Sequence, residues 1–273
     1  MGHRWDGNKW TGGLYSCTGE INDGTRGKIM QRDVQAATIA GALIPTMMDV
    51  LIPRSTLRVN VLVDAGLVTG FALFTALFAQ IAIRIPTTTV PITGQTLAVL
   101  LTGAALGSRR GALSMSVYTL LGMFIFPAFA PPAAFMSDKI IHFVLPWSGA
   151  SYYVWDAANG GYILGFILAS YLVGLLAEWG WDRRTSIPLV MLVGNAAVYF
   201  VGLPVLALYI AFGTIPGLDL TYYDAIAGNN VLDKTLKGGL YPFIGGDAIK
   251  LVMAALAVPI AWVGIRRLKG EGA

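Results

Sequence analysis

Two long apolar stretches decide the fold of this chain. Residues 187–212 read IPLVMLVGNAAVYFVGLPVLALYIAF, and residues 61–83 read VLVDAGLVTGFALFTALFAQIAI, with Asp64 as their one charged side chain. An α-helix rises about 1.5 Å per residue, so each stretch is long enough to cross about 30 Å of hydrocarbon. The pattern therefore predicts membrane-spanning helices.

The composition of the whole chain supports the same class. Of 273 residues, 55% are hydrophobic and 12% are charged, whereas a soluble domain carries about 25% charged residues. So few charges cannot cover a water-facing surface, and lipid must therefore contact most of the protein. We predict an all-α, polytopic integral membrane protein with a six-transmembrane-helix bundle, not a soluble enzyme.

Several functional classes are excluded by residues that the sequence lacks. The single Cys17 excludes an intrachain disulfide and a thiolate cluster, and two histidines, His3 and His142, argue against a metal site. No P-loop motif is present, so the chain does not bind ATP in that way. The net charge of +4 arises at predicted helix ends, which indicates membrane topology and not nucleic-acid binding. We predict no cofactor and no catalytic residue.

The chain divides into an N-terminal extension and a membrane domain. We expect residues 1–58 to be largely disordered, with a short interfacial helix within 34–52 in preference to a seventh span. We predict that residues 59–273 form a six-helix membrane domain. Its six predicted spans are Val61–Ile83, Thr96–Leu106, Ala112–Phe126, Tyr162–Ala177, Ile187–Phe212 and Ala248–Ile265.

The distribution of Lys and Arg predicts the orientation. With the N-terminus inside, the inner segments carry seven basic residues before residue 60, pairs at 109–110 and 183–184, and three more after residue 265, whereas the outer loops carry four. The positive-inside rule then places both termini in the cytoplasm and every long loop outside.

Asp247 and Lys250 are the first candidates for a binding site. Their spacing of three places both on one helix face, and each charge costs roughly 2.5–3.5 kcal/mol at membrane depth. A structural interpretation makes Asp247 a helix N-cap with Lys250 extending to the interface. The functional interpretation is a polar site for a small ligand.

Uncharged polar residues provide further candidates. Thr93 and Gln95 lie in a proline-stiffened connection after the first span, which is either a solvated hairpin or a cap over an outer pocket. Tyr162 and Tyr199 are either aromatic-belt anchors or pocket residues. Asn195 within an apolar helix needs an interior partner, and Asn159 precedes a glycine pair.

Small residues in the first span allow close helix packing. Gly66 and Gly70, and likewise Ala72 and Ala76, are four residues apart. Packing within the bundle is the default explanation for both pairs, and a docking face for a partner subunit is the alternative.

Four motifs occur in order along the chain, namely VPITGQTL at 90–97, GAALGSRRGA at 103–112, GGY at 160–162 and PFIGGDAIK at 242–250. In this order they resemble the BioY family, the biotin-binding membrane (S) component of energy-coupling factor (ECF) transporters, and the resemblance covers about residues 61–268. The N-terminal extension and the connections 127–159 and 213–245 are longer than is usual in the family.

The resemblance implies a six-helix bundle in the plasma membrane of a prokaryote, with membrane lipid around it and biotin bound near the outer face. Asp247 and Lys250 match the family motif that contacts biotin, Thr93 and Gln95 match its capping loop, and Tyr162 matches its glycine–tyrosine motif. Asn159 falls where the family often has threonine. The implied partners are a transmembrane scaffold protein and two ATP-binding-cassette ATPase subunits.

Ala72 and Ala76 resemble the alanine motif by which such components contact that scaffold.

Two other functions stay open from the residues alone. The chain is either an S component for a different vitamin or an intramembrane enzyme that uses Asp247 and Lys250 as an acid/base pair.

Overall fold

The computed structural model describes residues 44–52, 57–83, 90–130, 141–143, 149–183, 186–215 and 219–269. Over these ranges the chain is mostly helical, with two single 3-10 turns at Val154–Asp156 and Trp181–Arg183. The α-helices are α1 (Met47–Leu51), α2 (Leu57–Ala79), α3 (Gln95–Leu106), α4 (Ser108–Phe124), α5 (Gly160–Glu178), α6 (Ile187–Phe212), α7 (Tyr222–Ala225), α8 (Val231–Gly239) and α9 (Tyr241–Leu268).

Four helical stretches are long and apolar enough to cross a membrane. They are Val59–Ala79 in α2, all of α5, all of α6, and the run Val231–Leu268 formed by α8 and α9. Helix α3 has 12 residues and α4 has 17, about 18 and 26 Å at 1.5 Å per residue. The all-α, polytopic membrane class is confirmed, whereas the count of six spans stays a prediction.

Two predicted helix bounds are wrong in ways that affect the site. Helix α9 begins at Tyr241, not at Ala248, and Pro242 lies in its first turn, a position that proline favours. Asp247 therefore lies inside the helix and is not its N-cap. Helix α3 begins at Gln95, so this side chain belongs to a helix and not to the preceding loop.

A small three-stranded sheet follows the first span and was not predicted. Its strands are β1 (Ile81–Ile83), β2 (Ile92–Thr93) and β3 (Ile141–Phe143), in the order β2-β1-β3 with antiparallel pairing. The run Ile81-Ala82-Ile83 alternates exposed, buried, exposed, which suits a strand. For this reason α2 ends at Ala79, four residues before the predicted end of the span.

Ala72 and Ala76 lie inside the bundle. Both are fully buried and belong to the same hydrophobic cluster as Met115 and Tyr118 of α4. Gly66 and Gly70, in contrast, have open space where a Cβ would be. Their stripe of α2 faces α4, which agrees with packing within the bundle, and a docking face for a partner subunit stays a prediction.

The segment before the first span packs across one end of the helix bundle. Thr46 caps α1 and forms a capping box with Asp49, and Arg110 of α4 donates to Asp49 over 2.7 Å. Of the predicted interfacial helix at 34–52, Met47–Leu51 is helical and the preceding residues 44–46 are not. Of the predicted extension 1–58, residues 1–43 and 53–56 lie outside the described residues.

Helix α5 lies between α3, α4 and α6. Two glycines make this packing close. A Cβ on Gly103 of α3 would be 2.6 Å from the carbonyl oxygen of Ser170, and one on Gly174 of α5 would be 2.3 Å from the backbone of Gly107. The close packing fixes α5 as the centre of the bundle and places its first turn, with Tyr162, beside α6.

Candidate functional site

A cavity lies at the end of the bundle away from α1. It comprises about 530 Å³ of empty space, part of it open to solvent. Helices α3, α5, α6 and α9 and the β2 region supply its walls. All eight residues predicted for substrate binding line it, namely Thr93, Gln95, Asn159, Tyr162, Asn195, Tyr199, Asp247 and Lys250.

The charged pair on α9 forms the polar end of the cavity. Lys250 Nζ donates to Asp247 Oδ1 over 2.8 Å, and the two side chains are 13% and 8% exposed. The spacing of three residues on one helix brings the two groups together. The predicted common face is therefore observed, and Lys250 points to its partner and not to the interface.

Helix α6 supplies two more groups at this end. The Tyr199 hydroxyl donates to Asp247 Oδ2, and Asn195 Nδ2 lies 3.5 Å from the same oxygen. This arrangement leaves Asn195 Oδ1 buried with no hydrogen-bond partner in the structure. A buried acceptor without a partner costs free energy, so this oxygen is suited to receive an N–H from a ligand.

The hairpin formed by β1 and β2 supplies another wall. Thr93 pairs with Ala82 across the sheet, and Thr93 Oγ1 donates to Gln95 Oε1 over 2.8 Å. Val90 and Pro91 also line the cavity. The sequence left two interpretations of this segment open, a hairpin and a cap over a pocket. The described part of the segment is a hairpin that also lines the cavity, so the two interpretations do not exclude each other.

Tyr162 and Asn159 contact the protein frame with their polar atoms. The Tyr162 hydroxyl donates to the Gly239 carbonyl over 2.9 Å and the side chain is buried, so the aromatic-belt interpretation is wrong for this residue. Asn159 Nδ2 donates to Tyr152 Oη over 2.7 Å. Burial raises the pKa of the Tyr152 phenol, which keeps this partner neutral. Through these hydrogen bonds, Tyr162 and Asn159 hold the walls of the cavity in position.

The remaining walls are apolar. Ile163, Phe166, Val198 and Phe243 line the cavity, and their side chains are largely or fully buried. Sequence reasoning did not single them out, because aromatic and aliphatic residues are the ordinary content of a membrane helix. It also missed Tyr118 and Tyr152, which lie behind Gln95 and Asn159. No local pattern distinguishes these tyrosines from others.

This arrangement suits recognition of a small, neutral or weakly charged ligand with both donors and acceptors. Asp247 and Asn195 offer acceptors, Lys250 and Gln95 offer donors, and apolar surface lies between them. In the part of the chain that the structure describes, no group of three His, Cys, Asp or Glu residues could hold a metal ion.

The sequence is similar to those of known proteins. The profile of the BioY family matches residues 47–267. A biotin transporter BioY from Thermotoga maritima is 32% identical over 189 residues, covering 67% of this chain and 88% of that protein. A probable biotin transporter BioY from Pyrococcus horikoshii is 30% identical over 208 residues, covering 76% and 97%.

The fold is also similar to a solved structure. The crystal structure of the S-component for biotin from an ECF-type ABC transporter superposes with a TM-score of 0.56 at 18% identity, covering 81% of this chain and 97% of that chain. At this identity the likeness shows the fold. The family assignment rests on the sequence matches and not on the fold similarity. These matches show that the chain belongs to the BioY family.

Proposed function

We propose that this chain is the biotin-binding membrane subunit of an ECF-type vitamin uptake transporter. The observation that carries the proposal is the buried Asp247–Lys250 pair beside Tyr199 and Asn195, at the end of a cavity with apolar walls. The names of the relatives support biotin as the ligand.

Each part of biotin has a chemical counterpart in the cavity. The ureido ring carries two N–H donors and one carbonyl acceptor, and the acceptors Asp247 Oδ2 and Asn195 Oδ1 suit the donors. The thiophane ring and the valeryl chain need apolar surface, which Phe166 and Phe243 supply. Lys250 either stays paired with Asp247 or contacts an oxygen of the ligand.

We infer that the subunit binds and does not catalyse, because its family and curated relatives are transporters. An acid/base enzyme would need a second carboxylate or a histidine beside the first, and among the described residues that line the cavity Asp247 is the single such group. A different vitamin stays the stronger alternative ligand, because the same donors and acceptors would suit other small heterocycles.

Transport requires energy from partner subunits, because the chain carries no nucleotide-binding motif. We propose a transmembrane scaffold and two ATP-binding-cassette ATPases as these partners. We also propose that both termini are cytoplasmic, so that the cavity opens outward. The basic residues at 109–110, 183 and 266–267 support this orientation, since they lie at helix ends remote from the cavity.

Calorimetric titration of the purified subunit tests the ligand. Biotin should bind the wild type with a stoichiometry of one, thiamine and riboflavin should not compete, and Asp247→Ala should bind poorly because Lys250 loses its counter-ion. Unchanged biotin affinity in Asp247→Ala would refute the site, and displacement by another vitamin would replace the ligand. ATP hydrolysis by the subunit alone in liposomes would refute the need for partners.

A further inference from the structure

Behind the cavity, a chain of hydrogen bonds runs from β2 to the interior of α4. Thr93 Oγ1 donates to Gln95 Oε1 over 2.8 Å, and Gln95 Nε2 donates to the Tyr118 hydroxyl. Tyr118 Oη in turn lies 3.4 Å from the Ala128 carbonyl. Thr93 and Gln95 line the cavity, whereas Tyr118 does not.

The directions of these bonds follow from the chemistry of the groups. The Ala128 carbonyl can only accept, so the Tyr118 proton points to it and the Tyr118 oxygen accepts from Gln95. The Gln95 carbonyl oxygen accepts from Thr93, while the backbone N–H of Gln95 lies 3.4 Å from Thr93 Oγ1. The amide of Gln95 is thus held from both sides in one orientation.

Tyr118 is well placed to hold this orientation. Its side chain is fully buried, and its ring packs edge-to-face on Phe129 with centroids 5.5 Å apart. Phe129 pairs with Ala150 through two backbone hydrogen bonds of 3.0 and 3.1 Å. The tyrosine is therefore packed on a residue that is itself held by backbone hydrogen bonds, and its hydroxyl connects to a residue of the cavity wall.

We infer that Tyr118 is a positioning residue that fixes the Gln95 amide so that its second N–H points into the cavity as a donor. In the described residues this second N–H has no protein acceptor, since Gln95 Nε2 bonds only to Tyr118. The ligand would meet Gln95 with an acceptor oxygen, and biotin offers such an oxygen in its ureido and carboxylate groups. The inference rests on the proposed function.

A double-mutant cycle in biotin affinity tests the inference. Tyr118→Phe keeps the ring and removes the hydroxyl, so it should weaken biotin binding roughly 5- to 30-fold, the effect of one hydrogen bond to a buried amide. In a Gln95→Ala background the same change should alter affinity less than about 2-fold, because the group that Tyr118 positions is gone. Tyr171→Phe, at an exposed tyrosine of α5, is the matched control and should bind as the wild type.

The outcomes separate the two proposals. An equal loss from Tyr118→Phe in both backgrounds, or no loss in either, overturns the positioning role and leaves the proposed function intact. Absence of biotin binding in the wild type overturns the proposed function, and the positioning role with it. If Tyr118→Phe folds poorly, Phe129→Leu enters the same cycle, because it removes the ring on which Tyr118 packs and does not line the cavity. A loss that persists without Gln95 would again count against positioning.

Discussion

Replacing Lys250 by Met should lower both the stability of the ligand-free subunit and its biotin affinity. In the wild type, Lys250 Nζ and Asp247 Oδ1 are 2.8 Å apart and both side chains are largely buried. The change removes the cation and leaves a carboxylate at membrane depth. Tyr199 and Asn195 still contact the other carboxylate oxygen, so Asp247 keeps part of its stabilisation.

The size of the effect follows from these contacts. Breaking a buried ion pair by removing one partner costs about 3–5 kcal/mol. Because Asp247 keeps two other polar neighbours and the pair is not fully enclosed, we expect about 2–3 kcal/mol for Lys250→Met. For a chain of this size, that corresponds to a decrease of about 5–10 °C in the midpoint of thermal unfolding.

A second variant separates the pair's two roles. Asp247→Asn combined with Lys250→Met removes both charges, so most of the lost stability should return. Biotin affinity should stay low, because the acceptor for the ligand has also been neutralised. Thermal unfolding in detergent and calorimetric titration with biotin measure the two properties on the same samples.

The surface pair of α8 provides a matched control. Lys237 Nζ and Asp233 Oδ2 are also 2.8 Å apart, but the side chains are 46% and 28% exposed. Lys237→Met should leave the unfolding midpoint and biotin affinity unchanged, since water solvates the remaining carboxylate. If the double variant binds biotin as well as the wild type, the charges serve each other and not the ligand, and the site assignment is refuted.

Three further predictions concern other groups. Tyr199→Phe removes a hydroxyl donor from the site carboxylate and should weaken biotin binding roughly 10-fold by calorimetry; an unchanged affinity would contradict its role. A chain that starts at residue 47 should unfold at a lower temperature than one that starts at residue 44, because it lacks the Thr46 cap and the buried Ile44; equal midpoints would show that these contacts are dispensable. Burial raises the pKa of the Asp182 carboxyl from 3.8 to about 6, so the folded state binds the proton more tightly than the unfolded state. Stability should therefore fall by at most about 3 kcal/mol as pH rises from about 4 to about 7, and Asp182→Asn should lack this contribution when unfolding is followed across that range.

The sequence predicted the polar residues of the cavity better than the helix ends. A charged or amide side chain in an apolar helix is costly, so Asp247, Lys250 and Asn195 can be recognised as candidates from the sequence alone. The start of α9 cannot be predicted in this way, because residues 241–247 contain a proline and two glycines that usually mark a loop. The structure uses the proline in the first helical turn instead, which moves Asp247 from a cap to the helix interior.

Which face of a helix points inward could not be predicted from the small residues. Gly66 and Ala72, like Gly70 and Ala76, are six residues apart, so the two stripes lie about 120° apart around α2. Both stripes allow close approach of another helix. The position of α4 decides that the alanines are buried, and that position depends on long-range packing. Tyr118 was missed for the same reason, since its partner Gln95 is 23 residues away.

Selectivity and affinity should come from different parts of the cavity. Asp247 already has polar partners without a ligand, so ligand hydrogen bonds to this carboxylate replace existing ones, and their net gain in free energy is small. The apolar walls contribute most of the binding free energy, because they remove the ligand's rings and chain from water. An analogue without the matching N–H groups would still contact the walls, but it would leave Asn195 Oδ1 without a partner, and sites of this kind reject such analogues strongly. The three helices α3, α6 and α9 each supply part of the polar set, so recognition depends on their relative positions and not on any one motif.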